Sequence, residues 1–206
     1  MKDMTEAELD ARHAEKMAKK KAARDKILAT KTIEKGLLIV HTGKGKGKST
    51  AAFGMIFRAL GHGMPVAIVQ FVKGKWQTGE RAALDKFGDL VSINTMGEGF
   101  TWETQDRQRD LAAARAAWER AKALIKAGAH RLVLLDEINI VLRYDYLPIE
   151  EIVAFLREEK PEHVHVIVTG RNAKDELIEI ADLVTEMEMV KHPFRSGVKA
   201  QRGIEF

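Results

Sequence analysis

Thr42-Gly43-Lys44-Gly45-Lys46-Gly47-Lys48-Ser49-Thr50 constrains this chain more than any other stretch. The apolar run Leu37-Leu38-Ile39-Val40 precedes it, and Ala51 to Leu60, good helix-forming sequence, follows it. Strand, glycine-rich turn and helix, in that order, is the setting of a phosphate-binding loop. Alternating glycines let the chain turn its N–H groups inward without Cβ clashes. A helix beginning near Lys48 adds unpaired N–H donors and the positive end of its dipole. Lys48 brings a mobile cation to the phosphates, and the Ser49 hydroxyl suits Mg²⁺ or Mn²⁺. Gly43, Lys44, Gly45, Lys46, Gly47, Lys48, Ser49 and Thr50 are therefore the candidate nucleotide-binding residues. The strict motif starts with glycine where this chain has Thr42; Gly43 and Gly45 are expected to supply the missing flexibility.

Strand and helix signals alternate along the rest of the chain, which predicts an α/β fold: a mostly parallel six-stranded sheet with helices on both faces. The expected strands are 37–42, 66–72, 90–95, 131–135, 164–168 and 183–189. Helices are expected over about 48–60, a short stretch ending at Phe87, 104–127, Pro148 to before Pro161, and 173–181. The tail from Lys191 to Phe206 has no clear period.

Residues 1–35 read as a charged, largely helical or disordered arm, and 36–206 as the domain that carries the loop. Thr5 and Glu8 have capping-box spacing for a helix start. Apolar residues in the arm are sparse, so residues 1–15 are expected to be solvated or partly disordered. The arm holds ten basic and seven acidic residues against 24 and 23 in the remainder, so the domain is close to neutral. That argues against a broad nucleic-acid surface. No apolar run is long enough to span a membrane, and the N-terminus offers no apolar signal segment. The absence of cysteine excludes disulfides and thiolate chemistry. A cytoplasmic protein is expected.

Leu132-Val133-Leu134-Leu135-Asp136-Glu137 is a buried-strand pattern ending in acids. In open parallel sheets ligands bind beyond the carboxyl ends of the strands. Asp136 and Glu137 are thus expected beside the loop that follows strand one, holding Mg²⁺ opposite Ser49 directly or through water. Arg171, in Thr169-Gly170-Arg171, also follows a strand and offers phosphate a planar fork of donors. In the loop Gly97–Thr104, Phe100 and Trp102 read equally as a wall for a flat or apolar ligand and as anchors to the core. Trp76 is a weaker candidate of the same kind. His41, His163 and His165 stand at no metal-ligand spacing and read as structural.

Together these segments resemble the ATP:corrinoid adenosyltransferases of the bacterial cobalamin pathway. The match is carried by the loop 42–50, Val69–Gly74, Gly99–Thr104, Leu135-Asp136-Glu137, Tyr144–Pro148, Thr169-Gly170-Arg171 and Val198–Ile204. It covers about residues 35–206, and the arm is the part least like the family. Thr42 is what the family shows at that position; Lys44 stands where it often has a small polar residue, and Ser49 where it often has Thr. The resemblance implies a P-loop NTPase-like, RecA-like fold. It also implies transfer of the 5′-deoxyadenosyl group of ATP to the Co(I) centre of a corrinoid such as cobalamin or cobinamide, with release of triphosphate. Lys48 and Glu137 would serve the triphosphate end. Phe100 and Trp102 match the aromatics that remove the lower axial ligand from Co(II), so that a flavoprotein donor can reduce it. A homodimer is implied, with residues 16–35 helping to cover the corrinoid. An ATP-hydrolysing switch of the same fold, in which Glu137 activates water, is the competing reading.

Overall fold

Short runs of branched apolar residues, each ended by a polar residue or a glycine, build the centre of the protein. In the computed structural model, which describes residues 5–72, 79–95 and 106–205, they form a six-stranded sheet. The strands are β1 (Leu38–Thr42), β2 (Val66–Gln70), β3 (Val91–Thr95), β4 (Leu132–Asp136), β5 (His165–Thr169) and β6 (Leu183–Glu186). Every pairing is parallel and the order is β3-β2-β4-β5-β1-β6. Parallel strands are buried on both faces, which is why β1 and β4 read as unbroken apolar runs rather than as alternations.

The chain separates into two compact units, Met1–Glu34 and Lys35–Phe206. In the first, α1 (Glu6–Ala29) starts at a complete capping box: the Thr5 N–H donates to Glu8 Oε2 at 2.8 Å, and the Glu8 N–H donates to Thr5 Oγ1 at 3.4 Å. The hydrogen bonds from Thr5 hold the Glu8 carboxyl below its ordinary pKa. No residue of α1 is buried, so its order comes from the cap and from helix-favouring Ala, Lys and Glu.

In the second unit the two faces of the sheet carry separate cores. Ile39, Ile68, Leu134 and Ile167 face α2 (Lys48–Gly61), which contributes Ala52, Phe53, Ile56 and Leu60. Their neighbours Leu38, Val40, Val69, Val133, Leu135 and Val168 belong to the opposite core. That core is covered by α4 (Arg107–Ala127), α5 (Ile138–Arg143), α6 (Ile149–Glu158) and α7 (Asp175–Ile180). Period-two alternation thus assigns each strand residue to one layer. Trp118 of α4 is fully buried, packs edge-on against Phe155 at 5.2 Å, and donates its indole N–H to Glu151 at 2.7 Å.

Several expectations are corrected. β2 ends at Gln70, its ladder with β4 closing as the Phe71 N–H donates to the Asp136 carbonyl at 3.0 Å. The short helix α3 (Gly79–Leu84) gives way to a 3₁₀ turn over Asp85–Leu90. β6 stops at Glu186, and α5 is a helix that no periodicity announced. The acids at the end of β4 do lie beside the loop after β1, as expected, and they reach it across the intervening strand β5. Among the described residues no helix is long and apolar enough to cross a membrane.

Candidate active site at the carboxyl ends of the strands

β1 ends at Thr42 and α2 begins at Lys48, so residues 43–47 form the turn between them. Gly47 caps α2 at φ 106° with no side-chain cap, leaving the first-turn N–H groups to a ligand. The outer wall of the turn is the chain just past β6. The Met187 N–H donates to the Thr42 carbonyl at 2.9 Å, and the Gly45 N–H donates to the Met187 carbonyl at 2.6 Å. A Cβ on Gly43 would lie 2.4 Å from the Met187 carbonyl oxygen, and one on Gly45 2.4 Å from that of Glu188. These two glycines are therefore required by backbone packing as well as by loop freedom, and the Gly45 N–H is already spent.

Lys48 is buried, and its ammonium donates to the Gly45 carbonyl oxygen across the turn. Burial lowers its pKa, opposed by the nearby Glu137 carboxylate. Lys44 and Thr50 are exposed, and the Lys46 ammonium meets the carboxylate of Glu205.

Asp136 is the centre of a buried network. Its Oδ1 accepts from the Ser49 hydroxyl at 2.9 Å and from the Thr169 hydroxyl at 2.8 Å, and Gln70 Nε2 stands 3.5 Å from Oδ2. Thr169, at the end of the intervening strand β5, also accepts the Glu137 N–H at 2.9 Å. The acid at the end of β4 thus reaches the loop after β1 across β5, with Thr169 as the tie. Burial raises the pKa of Asp136.

Glu137 sits at φ 61°, a left-handed conformation that is uncommon for a residue with a side chain. Its Oε2 is buried without a hydrogen-bond partner. Burial, and then the Asp136 charge, push its pKa up to about 7, against the pull of Lys48 and Arg171. Arg171 itself is exposed, beyond β5.

Sequence reasoning missed Asn139. It is fully buried in α5, donates to the Gly170 carbonyl at 3.1 Å, and holds Gly170 so close that a Cβ there would meet Asn139 Cβ at 2.8 Å. Its one sequence signal was a polar residue inside an apolar run. Phe100, Trp102 and Trp76 lie outside the described residues. Of the histidines, His163 contacts the Gly128 carbonyl at 3.0 Å and His165 accepts the Leu37 N–H at 3.1 Å. His41 is buried with neither ring nitrogen paired.

The raised Glu137 pKa has a measurable consequence for the ligand-free protein. A carboxyl that holds its proton more tightly when folded stabilises the fold fully below its unfolded value, near 4.5, and that contribution is lost as pH rises through about 7. Stability is expected to fall across that window, by no more than about 1.4 kcal/mol per pH unit from this group. Denaturant melts of wild type and Glu137→Gln between those pH values check this; an unchanged slope in the variant would show that the proton is not on Glu137.

The chain matches the family described as ATP:corrinoid adenosyltransferase BtuR/CobO/CobP over residues 34–206. It belongs to that family. Proteins named corrinoid adenosyltransferase are similar to it along nearly the whole chain. One from Sinorhizobium sp. is 69% identical over 96% of this chain and 92% of its own length. One from Pseudomonas aeruginosa is 53% identical over 97% and 98%, and one from Escherichia coli 46% identical over 96% and 99%. Residues 4–28 match a second description, cob(I)alamin adenosyltransferase N terminal, so the arm is also like the corrinoid adenosyltransferases, contrary to expectation.

Proposed function

We propose that this corrinoid adenosyltransferase transfers the 5′-deoxyadenosyl group of ATP to the Co(I) centre of a corrinoid in adenosylcobalamin biosynthesis or salvage. The cobalt–carbon bond forms as the bond from C5′ to oxygen breaks, and triphosphate leaves with that electron pair. The observation that carries the reading is Lys48, buried at the start of α2 beside the linked Ser49 and Asp136, in a chain of this family. The nucleophile is the substrate's own cobalt, so the protein's task is to bind and stabilise the departing triphosphate. Lys48, the α2 N-terminus and Arg171 supply positive charge where negative charge grows.

The donor set suits Mg²⁺ or Mn²⁺: the Ser49 hydroxyl touching Asp136, and the unpartnered buried oxygen of Glu137, are hard oxygen ligands. Among the described residues no cluster of three or more His, Cys, Asp or Glu is arranged to hold a metal alone, which suits an ion shared with the nucleotide's phosphates. When bound, the ion neutralises charge on the triphosphate.

By family resemblance, Phe100 and Trp102 displace the lower axial ligand of Co(II), a flavoprotein donates the electron, and the enzyme works as a cytoplasmic homodimer. The exposed Met17, Ile27 and Leu28 on α1 give residues 16–35 apolar surface for covering a corrinoid. A second reading, ATP hydrolysis with Glu137 activating water, is favoured by one observation, a buried carboxyl with a pKa of about 7.

Product identity separates the two. With ATP and chemically reduced cobalamin, the cobalt–carbon absorbance change is expected to accompany release of intact triphosphate; orthophosphate in its place would overturn the transferase reading. In the same assay Trp102→Ala is expected to spare the reaction started from Co(I) more than the one started from Co(II). Equal losses would remove the ligand-displacement role.

A further inference from the structure

The stretch past β6 is part of the family match, yet the transfer reaction gives it no task. It runs against the phosphate loop twice. Just past the strand, Met187 continues the β1–β6 ladder onto Thr42 and Gly45. At the far end, the Glu205 carboxylate takes the Lys46 ammonium, a contact across 159 positions. Glu205 is not carried on a loose end. Its N–H and that of Ile204 donate to the Gln201 carbonyl at 2.9 and 3.1 Å, closing a turn with Gly203 at φ 81°. The Glu205 side chain is 18% exposed and that of Lys46 48%, so the carboxylate sits deeper than the ammonium it meets.

The charge pattern gives this contact a meaning. The loop holds three lysines and no acid. With Lys48 on the Gly45 carbonyl and Lys46 on Glu205, protein oxygens occupy two of the three ammonium groups. We propose that Glu205 is a latch: its carboxylate stands in for a phosphate oxygen at Lys46, and a polyphosphate entering the loop displaces it and frees the tail. The latch lowers affinity for any polyphosphate chain, the leaving triphosphate included, and closes again behind the product. It rests on the reading of the loop as the polyphosphate site.

Tripolyphosphate alone, titrated calorimetrically into the full chain, tests it. An ion pair this open to water is weakened by screening, so the expected gain is modest: Glu205→Gln and Glu205→Ala bind about two- to five-fold tighter than wild type. The gain shrinks as salt is added. It vanishes in a Lys46→Gln background, where there is no ammonium to release. In wild type, tryptic cleavage at the exposed Lys199 and Arg202 is expected to quicken when tripolyphosphate saturates the loop. Wild-type binding with no gain in either Glu205 variant overturns the latch alone, as does a gain that survives Lys46→Gln or tryptic cleavage that saturation leaves unchanged. Failure of wild type and all variants to bind tripolyphosphate overturns the reading of the loop, and the latch with it.

Discussion

Lys48→Ala is expected to lower turnover at saturating ATP by a factor of about 100 to 1,000, the range seen when one donor to a developing charge is removed. Lys48 is 6% exposed, and burial already lowers its pKa, so its charge is held in a place that favours delivery to an anion. It donates to the Gly45 carbonyl, a neutral acceptor that phosphate outcompetes. Because leaving-group charge is larger in the transition state than in bound ATP, the loss should fall on kcat and not only on KM. Lys48→Arg is expected to fail as well, since a planar guanidinium cannot replace a compact ammonium in this packed turn. Folding should survive, because the change removes a buried charge rather than a packing contact. Unimpaired turnover by a folded Lys48→Ala protein would refute the assigned role.

What the sequence disclosed depended on how local the signal was. The loop was legible because Leu38 to Val40 are buried on both faces, and because glycines alternate before a helix start. Asp136 was legible because the carboxyl end of a buried strand is where α/β sites form. Its route to Ser49 was not. Strand order is a property of the whole sheet, and nothing near residue 136 states that β5 and Thr169 intervene. The short helix α5 continues an apolar run, so its onset at Glu137 left no change of period to detect, and Asn139 was hidden inside it. The contacts of Met187 with Gly45 and of Glu205 with Lys46 join residues far apart in sequence. No spacing rule reaches that far. The roles proposed for Phe100 and Trp102 rest on family resemblance, since physics alone left two readings of that loop.

The same substitution at two glycines separates loop packing from loop flexibility. Gly45→Ala places a Cβ 2.4 Å from the Glu188 carbonyl oxygen and 2.7 Å from that of Met187. Both obstacles are backbone, so the loop must move. Gly45 also supplies the carbonyl that holds Lys48 and the N–H that holds Met187, so a shift there displaces cation and wall together. A displacement of about 1 Å at a reacting site costs about 100-fold, which is the loss expected in kcat/KM for ATP. Overpacking adds a destabilisation of about 1–3 kcal/mol. Gly54→Ala is the counterpart. Gly54 lies within α2, is exposed, and has nothing within 4 Å of the added carbon. There the change removes only the backbone entropy of glycine, and a gain of about 0.5–1 kcal/mol is expected. For a chain of this size that is a rise of about 1–4 °C in Tm, with ATP kinetics near wild type. If Gly45→Ala keeps wild-type kcat/KM, the wall formed by residues 187–188 is not what shapes the loop. If both variants gain stability alike, both substitutions act through the unfolded chain and the close backbone approach at Gly45 carries no functional weight.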